Sequence, residues 1–529
     1  MSAAALAPAP SSSPTSPRRR WLVRAAGLLA IAVFLGLIGR YWHPVYGFTA
    51  LIQLDAPNDD LKIAAFRDLP VYVHRDTGGY DGLYYAQIAH DPTLRDAELP
   101  RAMDNLGYRA RRILPSAVAW LVGAGQPAWI NHTYPALNLV AWFVVAVLLW
   151  QLLAVADARS LLAWAGVLFS AGALASVRLA LTDLIALAIL AGALLAAERA
   201  RPRSATALLA AAALARETSL LAFAGLAGRP WFSVRNILRA LVVALPLAAW
   251  LAYVRFRVGP TDAGWANFTL PGAGLVEKWS ASFTAFSTVA DKPLAWTTLL
   301  ATLALTTQAA FFVTRWRLAD AWWRVGLAYS GLLLFLGTAV WEGYPGAATR
   351  VLLPLTLAFN VCVVRTRAAL AWLILGNLSV LAGFLSLRDV PSDPTELAAM
   401  SSGGIAAIAH TGAGWHPREN KGRHSWAWCG DRGTLTLEAW PRTSATVQLA
   451  FSARALDARQ LILRQDGREI WRGPLTAKNA PHTVAVRITQ GRAALEFSTD
   501  APPVREGPNA DARALAFALY DLRLTLPNP

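Results

Sequence analysis

The residues best suited to chemistry lie in one glycine-rich stretch, where Asp81 stands among three glycines and three tyrosines. These glycines let the backbone turn tightly, and the apolar spacing that follows predicts a short helix ending before Pro92. Asp81 is therefore expected at a helix N-terminus, where the helix dipole favours an ionised carboxylate. Such a carboxylate can accept a proton, which makes Asp81 a candidate catalytic base. The alternative is that Asp81 only caps the helix.

Candidate substrate-binding residues are the tyrosines beside this aspartate and a set of arginines and acids elsewhere in the chain. Arginine grips phosphate with two parallel hydrogen bonds, so these arginines suggest a phosphate-bearing substrate. The candidates are Tyr80, Tyr84, Tyr85, Arg109, Arg111, Arg112, Asp183, Glu342 and Arg350. The alternatives are an interfacial anchor for the cluster at 109–112, a salt bridge between Glu342 and Arg350, and a helix cap for Asp183.

Other polar residues carry weaker signals. Arg216 and Glu217 interrupt an apolar stretch, and we interpret them as a structural ion pair at a hairpin tip. Three histidines at 74, 90 and 132 match no metal-ligand spacing, so no metal ligand is assigned, although a divalent metal stays open. The two cysteines predict neither a zinc site nor an internal disulfide.

The composition is that of a membrane protein. Of 529 residues, 55% are hydrophobic and only 16% are charged, whereas soluble proteins carry about a quarter charged residues. Many apolar runs are about 20 residues long, which is the length that crosses a bilayer. The formal net charge of +16 comes mostly from arginines in short loops between these runs. That placement is a topology signal, so no nucleic-acid partner is predicted.

The order of apolar and basic segments predicts a topology. A disordered tail, 1–17, precedes three arginines that place the N-terminus in the cytoplasm. A multi-pass membrane domain, 18–388, follows, with a non-cytoplasmic loop at 41–112, about nine crossings and a hairpin at 204–228. The hairpin is expected to enter and leave on the cytoplasmic side, since a crossing would leave three arginines outside. The bacterial inner membrane is the expected location.

The C-terminal part changes character. Residues 389–409 are predicted to be a linker, and 410–529 contain short alternating strands with an Asp466-Gly467 hairpin signal. This pattern predicts an all-β sandwich on the non-cytoplasmic side. Its tryptophans between 415 and 428 could form core or stack on sugars.

This layout resembles the GT-C membrane glycosyltransferases. The segment Gly79-Tyr-Asp-Gly-Leu-Tyr-Tyr-Ala-Gln-Ile-Ala is similar to the part of their first outer loop that bears a catalytic acid, and Tyr108-Arg-Ala-Arg-Arg-Ile-Leu-Pro115 is similar to an arginine-rich helix start in bacterial members. A weaker similarity is to the mannosyltransferases of glycolipid-anchor assembly. Asp81 stands alone, whereas the commonest family motif has a pair of acids.

The resemblance implies transfer of a sugar from a polyprenyl-phosphate carrier to a glycan, lipid or protein acceptor, with inversion and with Asp81 as the base. The expected partners are the lipid-linked sugar, the acceptor and membrane lipid. The competing hypotheses are a transporter or flippase of a lipid-linked sugar, and a non-catalytic polysaccharide export subunit. Transporters place binding groups on broken helices, as the sequence around Arg216 suggests, but no internal repeat is seen.

Overall fold

The structure is a computed structural model that describes residues 17–74, 78–260, 264–342, 347–391, 396–401, 404–442, 444–505 and 513–526. The chain forms two compact units. The first, here the helical unit, comprises 1–41, 48–63 and 73–390, and the second, the β unit, comprises 42–47, 64–72 and 391–529. Parts of the predicted loop 41–112 thus belong to each unit.

The N-terminal half of the chain is mostly helical, as its apolar runs predict. Its helices are α1 Pro17–Gly39, α2 Ala64–Arg67, α3 Gly82–Ile88, α4 Leu106–Arg109, α5 Ile113–Val122, α6 Pro127–Leu152, α7 Ala158–Leu168, α8 Ala171–Arg178, α9 Asp183–Glu198, α10 Pro202–Ala215, α11 Phe223–Leu226 and α12 Val234–Val258. Two short parallel strands, β1 Leu54–Asp55 and β2 Val73–His74, pair between α1 and α3.

The remaining helices lie between 273 and 386. They are α13 Ala273–Thr288, α14 Lys292–Thr314, α15 Ala321–Phe335, α16 Thr338–Glu342, α17 Ala347–Val351, α18 Leu353–Arg365, α19 Leu370–Gly376 and α20 Ser379–Ser386. Local sequence fixes several starts: Ser233, Asp291 and Asp320 each accept a hydrogen bond from the first turn of the helix that follows.

The predicted count of nine crossings is not supported. Among the described residues, four helices are long and apolar enough to cross a bilayer, namely Arg18–Gly39, Pro127–Leu152, Val234–Val258 and Lys292–Thr314. The pair α7 and α8, bent by 41°, would make a fifth. The other predicted spans form helices that are too short: α9 has 16 residues, which rise about 24 Å against a hydrocarbon core of about 30 Å.

The stretch 204–228 turns back on itself, as a hairpin does. Arg239 marks its two ends, donating to Thr206 Oγ1 at 3.4 Å and to the Leu226 carbonyl at 3.1 Å. Between them, α10 runs beside α9, and the chain reverses at Arg216. The proposed pairing between Arg216 and Glu217 is wrong, because each bonds to a different partner described below.

Large aromatic side chains form the centre of the helical unit. Trp142, Trp164 and Trp323 are fully buried, and their indole N–H groups donate to backbone carbonyls. Phe34 of α1 stacks on Trp142 with ring centroids 3.7 Å apart. Some of the tryptophans therefore fill the core, because a buried indole is stable once its N–H has a partner.

The β unit is built from two antiparallel sheets. Its strands are β3 Leu397–Met400, β4 Ala406–Thr411, β5 Glu419–Lys421, β6 His424–Cys429, β7 Gly433–Trp440, β8 Ala445–Arg454, β9 Arg459–Gln465, β10 Arg468–Leu475, β11 Ala480–Ile488, β12 Arg492–Thr499, β13 Val504–Arg505, β14 Ala514–Leu515 and β15 Phe517–Thr525. The six-stranded sheet has the order β10-β9-β12-β7-β4-β3, and the five-stranded sheet has the order β11-β8-β15-β6-β5.

One apolar core joins the inner faces of the two sheets, so the predicted all-β domain is confirmed. Asp466 and Gly467 make the predicted hairpin turn between β9 and β10, both with positive φ. The predicted linker 389–409 differs from the structure, since β3 lies within it and β4 begins there. Trp415 packs edge-on against two phenylalanines of the core, whereas Trp426 stacks on Tyr520 at 5.2 Å.

Candidate active site

A cavity of about 700 Å³ in the helical unit collects most of the predicted site residues. Its walls come from α3, α4, the turn after α10, α15 and α17. The charged residues that line it are Asp81, Asp104, Arg109, Arg111, Arg112, Arg216, Glu217 and Arg350. Tyr80 and Tyr84 line it as well. Charged groups that are distant in sequence therefore face one shared cavity.

Asp81 precedes the first residue of α3, as predicted, but its side chain makes no capping hydrogen bond. Its Oδ1 atom instead lies 2.9 Å from Nη1 of Arg109. The side chain is partly exposed, at 29%, on the cavity wall. The capping alternative is thus not what the structure shows, and the carboxylate is directed to a cavity group.

Gly82 brings this helix start close to another element. A Cβ atom on Gly82 would lie 2.1 Å from the Leu179 carbonyl oxygen and 3.0 Å from that of Ile52. Because both atoms belong to backbone, no larger residue fits without moving the chain. The glycine that follows Asp81 therefore allows α3 to pack against the end of α8 and fixes where Asp81 lies.

Arg109 is held by a second acid, Asp104, which sequence reasoning missed. Its Nε and Nη2 donate to the two carboxylate oxygens of Asp104 at 3.0 and 2.6 Å, and its guanidinium lies 4.8 Å from the Tyr84 ring centre. Burial raises the pKa of Asp104, but the hydrogen bond and charge of Arg109 outweigh it and lower the pKa. Burial lowers the pKa of Arg109, and Asp104 and Asp81 together raise it above its usual value.

Arg112 forms a second bonded group and is buried rather than placed as a surface anchor. Its Nε and Nη2 donate to the carboxylate of Glu217 at 3.0 and 2.9 Å, and its Nη1 donates to the Tyr85 hydroxyl at 2.8 Å. Tyr85 is itself buried, so it supports Arg112 and does not line the cavity. Arg111 lines the cavity beside the ring of Tyr108.

Asp183 forms the third group and is 97% buried behind the cavity wall, with 3% exposure. Nη1 of Arg216 lies 2.5 Å from its Oδ1 atom, and Nη1 of Arg350 lies 3.6 Å from its Oδ2 atom. Arg350 also donates from Nη2 to the Tyr80 hydroxyl at 2.6 Å. Burial raises the pKa of Tyr80, so its hydroxyl keeps its proton at neutral pH. This group links α9, the hairpin tip and α17 to the residue before Asp81.

Glu342 is the predicted residue that the structure places elsewhere. It lines a separate cavity of about 210 Å³ together with Lys278, while α17 has residues on both cavities. The alternative for these two residues, a salt bridge between Glu342 and Arg350, is not formed, because Arg350 contacts Asp183 and Tyr80. Glu342 and Arg350 are close in sequence but line different cavities.

Sequence reasoning brought Asp81 and the arginines together but missed Asp104, Arg216 and Glu217 as members of the site. Asp104 carried a usable signal, since it lies five residues before Arg109 in the same polar stretch. The sequence suggests an ion pair between the adjacent Arg216 and Glu217, whereas in the structure each contacts a different residue. Only the three-dimensional packing of α10 against α9 shows that they face different walls.

No set of three or more His, Cys, Asp or Glu side chains suited to a metal ion occurs within the described ranges. His74 is buried and bonds to the Ala50 carbonyl, and half-buried His90 bonds to Asn131. Burial lowers the pKa of each to about 4. The side chains that line the cavity include carboxylates, guanidinium groups and tyrosine hydroxyls.

In comparisons with known proteins, no family model matches the sequence, and no curated protein matches it either.

Proposed function

We propose that the protein is a membrane glycosyltransferase that moves a sugar from a polyprenyl-phosphate carrier to an acceptor hydroxyl, with Asp81 as general base. The observation that carries the proposal is that Asp81 faces a cavity of about 700 Å³ whose lining includes five arginines. A carboxylate can take the acceptor proton, and guanidinium groups can stabilise the phosphate that leaves. The apolar helices are compatible with a substrate that lies in a membrane.

The geometry supports different roles for the two carboxylate oxygens of Asp81. Arg109 occupies its Oδ1 atom, and no hydrogen bond from the described residues reaches Oδ2. In the proposed step, Oδ2 takes the proton of the acceptor hydroxyl while that oxygen bonds to the anomeric carbon. The bond from the anomeric carbon to the phosphate oxygen breaks, and its electron pair stays on the phosphate. One displacement inverts the anomeric configuration, because no enzyme nucleophile intervenes.

The test compares the rate of sugar transfer by the purified parent protein with that of the Asp81→Asn variant. The amide keeps the shape of the side chain but cannot act as a base, so transfer should fall about 10²- to 10⁴-fold. Asp104→Asn is the matched control, since it also removes a charge from Arg109 but leaves Asp81 intact. Transfer by the Asp104→Asn variant should fall much less than transfer by the Asp81→Asn variant. Full transfer by Asp81→Asn would refute the role of the base.

A transporter or flippase remains the second candidate, and one observation favours it. The helix pair α7 and α8 is bent by 41°, and the hairpin tip places Arg216 and Glu217 against residues of other helices. Transporters use broken helices with charged ends to bind their substrates. An assay with a labelled lipid-linked sugar separates the two functions, because a transferase consumes the carrier sugar and a flippase only moves it.

A further inference from the structure

The three groups of charges in the cavity differ in how well the arginines are satisfied. Arg109 and Arg112 each make two aligned hydrogen bonds to one carboxylate. Arg216 and Arg350 share the single carboxylate of Asp183 instead, at 2.5 and 3.6 Å. Two guanidinium groups around one carboxylate leave one positive charge uncompensated within this group.

The hydrogen bonds around Arg216 and Arg350 also show more donors than acceptors. The Arg216 side chain makes no aligned hydrogen bond to the described residues, and Oδ1 of Asp183 accepts none despite the close contact. The Nε atoms of Arg216 and Arg350 are buried and lack a partner in the described part of the chain. Buried donors without acceptors cost free energy, and such groups in a folded protein call for an explanation. An anion in the cavity beside the two guanidinium groups would balance their excess positive charge.

Tyr80 adds a neutral donor at the same place. Its hydroxyl oxygen accepts from Nη2 of Arg350 at 2.6 Å, which leaves its own O–H available to donate. Tyr80 and both arginines line the cavity, whereas Asp183 lies behind the wall. The residue after Tyr80 is Asp81, so an anion held here would lie next to the proposed base.

We infer that Arg216, Arg350 and Tyr80 form a phosphoryl-binding subsite that takes the phosphate of the carrier, with Asp183 as the internal counter-ion that holds both arginines. This inference rests on the proposed function for the source of the phosphate. It assigns to Arg216 a ligand-binding role. In this assignment the phosphate is bound by Arg216 and Arg350, whereas Arg109 pairs with Asp81.

Phosphate binding can be measured without any transfer reaction. Purified full-length protein would be titrated by calorimetry with inorganic phosphate and, separately, with a short-chain prenyl phosphate. Arg350→Gln and Arg216→Gln should each weaken binding of both probes about 10- to 100-fold. Arg199→Gln is the control, because it makes the same charge change at the opposite end of α9 from Asp183. Its binding should equal that of the parent protein.

A variant of the counter-ion gives the sharper test. Asp183→Asn removes the carboxylate that competes with phosphate, so it should bind inorganic phosphate about tenfold more tightly than the parent protein. It should also gain more thermal stability from added phosphate. A purely structural ion pair predicts the opposite, namely lower stability without any gain in phosphate affinity. Equal or weaker phosphate binding by the folded Asp183→Asn protein would overturn the subsite.

The outcomes separate this inference from the proposed function. If Arg109→Gln abolishes phosphate binding while Arg350→Gln does not, the subsite is wrong and the base can still be right. If Asp81→Asn keeps full transfer while the phosphate results hold, the function is wrong and the subsite stands. Prenyl phosphate that binds no tighter than inorganic phosphate would overturn the lipid source of the phosphoryl group.

Discussion

At the scale of single residues, the pairing of acids with arginines distinguishes the charged side chains of the site from one another. Asp81 was expected to act alone or to cap a helix, but it shares Arg109 with Asp104. A shared guanidinium keeps the arginine oriented and leaves one carboxylate oxygen of Asp81 for a ligand. Asp104 spends both carboxylate oxygens on Arg109, whereas Asp81 contacts Arg109 through Oδ1 alone.

Gly82 gives a stability prediction. Gly82→Ala places a Cβ atom against the Leu179 carbonyl, which should reduce the free energy of unfolding by about 2 kcal/mol or more. Thermal unfolding of the purified protein would measure the loss. Gly331→Ala in α15 is the control, because a Cβ atom there meets nothing within 4 Å. It should be neutral or stabilising by up to about 1 kcal/mol, and an equal loss at both positions would contradict this argument.

His74 gives a prediction for acid stability. Burial and Arg178 lower its pKa to about 4, although the bond to Ala50 and the charge of Asp55 act the other way. The unfolded chain therefore takes up a proton near pH 6.5 that the folded chain refuses until about pH 4. Stability should fall by about 2 kcal/mol as pH drops from 6.5 to 5. His74→Gln, which can still donate to Ala50, should lose less over this range when unfolding is followed at both pH values.

At the scale of elements, the positions of the helices followed from apolar runs, but their lengths and functions did not. The predicted runs near 183–199 and 351–364 became α9 and α18, which have 16 and 13 residues. Hydrophobicity alone marks burial, and burial inside a helical protein looks the same in sequence as burial in lipid. The breaks at Ser170 and Asn377 were equally invisible, since a cap residue inside an apolar run is a weak local signal.

The hairpin of α10 and α11 yields a topological prediction. A reporter fused after Arg229 should read cytoplasmic, because both ends of the hairpin meet Arg239 and three arginines follow it. A fusion after Arg199, which precedes the hairpin, should give the same reading. Opposite readings from the two fusions would mean that the stretch crosses the membrane.

At the scale of the whole molecule, the division into a helical and an all-β part was predictable because the residue pattern changes its period near 400. The boundary was not predictable, since the β unit also takes in 42–47 and 64–72. His43 shows why: its Nε2 atom lies 2.7 Å from Glu396, a contact across more than 350 residues. Short polar segments of this kind have no periodicity that would assign them to either unit.

The sidedness of each unit can be tested separately. A cysteine at exposed Thr93 and one at exposed Arg423 should each react with an impermeant reagent added from the non-cytoplasmic side. A cysteine at Arg199 should react only after the membrane is opened. The two native cysteines are buried, which keeps the background low. Protection of either outer position in intact cells would contradict the predicted topology.

The reversal at the hairpin tip has a consequence for how ligands influence one another. Arg216 and Glu217 are neighbours in the chain, but Arg216 forms an ion pair with Asp183 and Glu217 forms one with Arg112. A shift of the tip toward one partner would change its distance to the other, so we expect the two ion pairs to be energetically coupled. If the ion pairs are coupled, a ligand bound beside Arg112 and a ligand bound beside Arg216 change each other's affinity by the same factor.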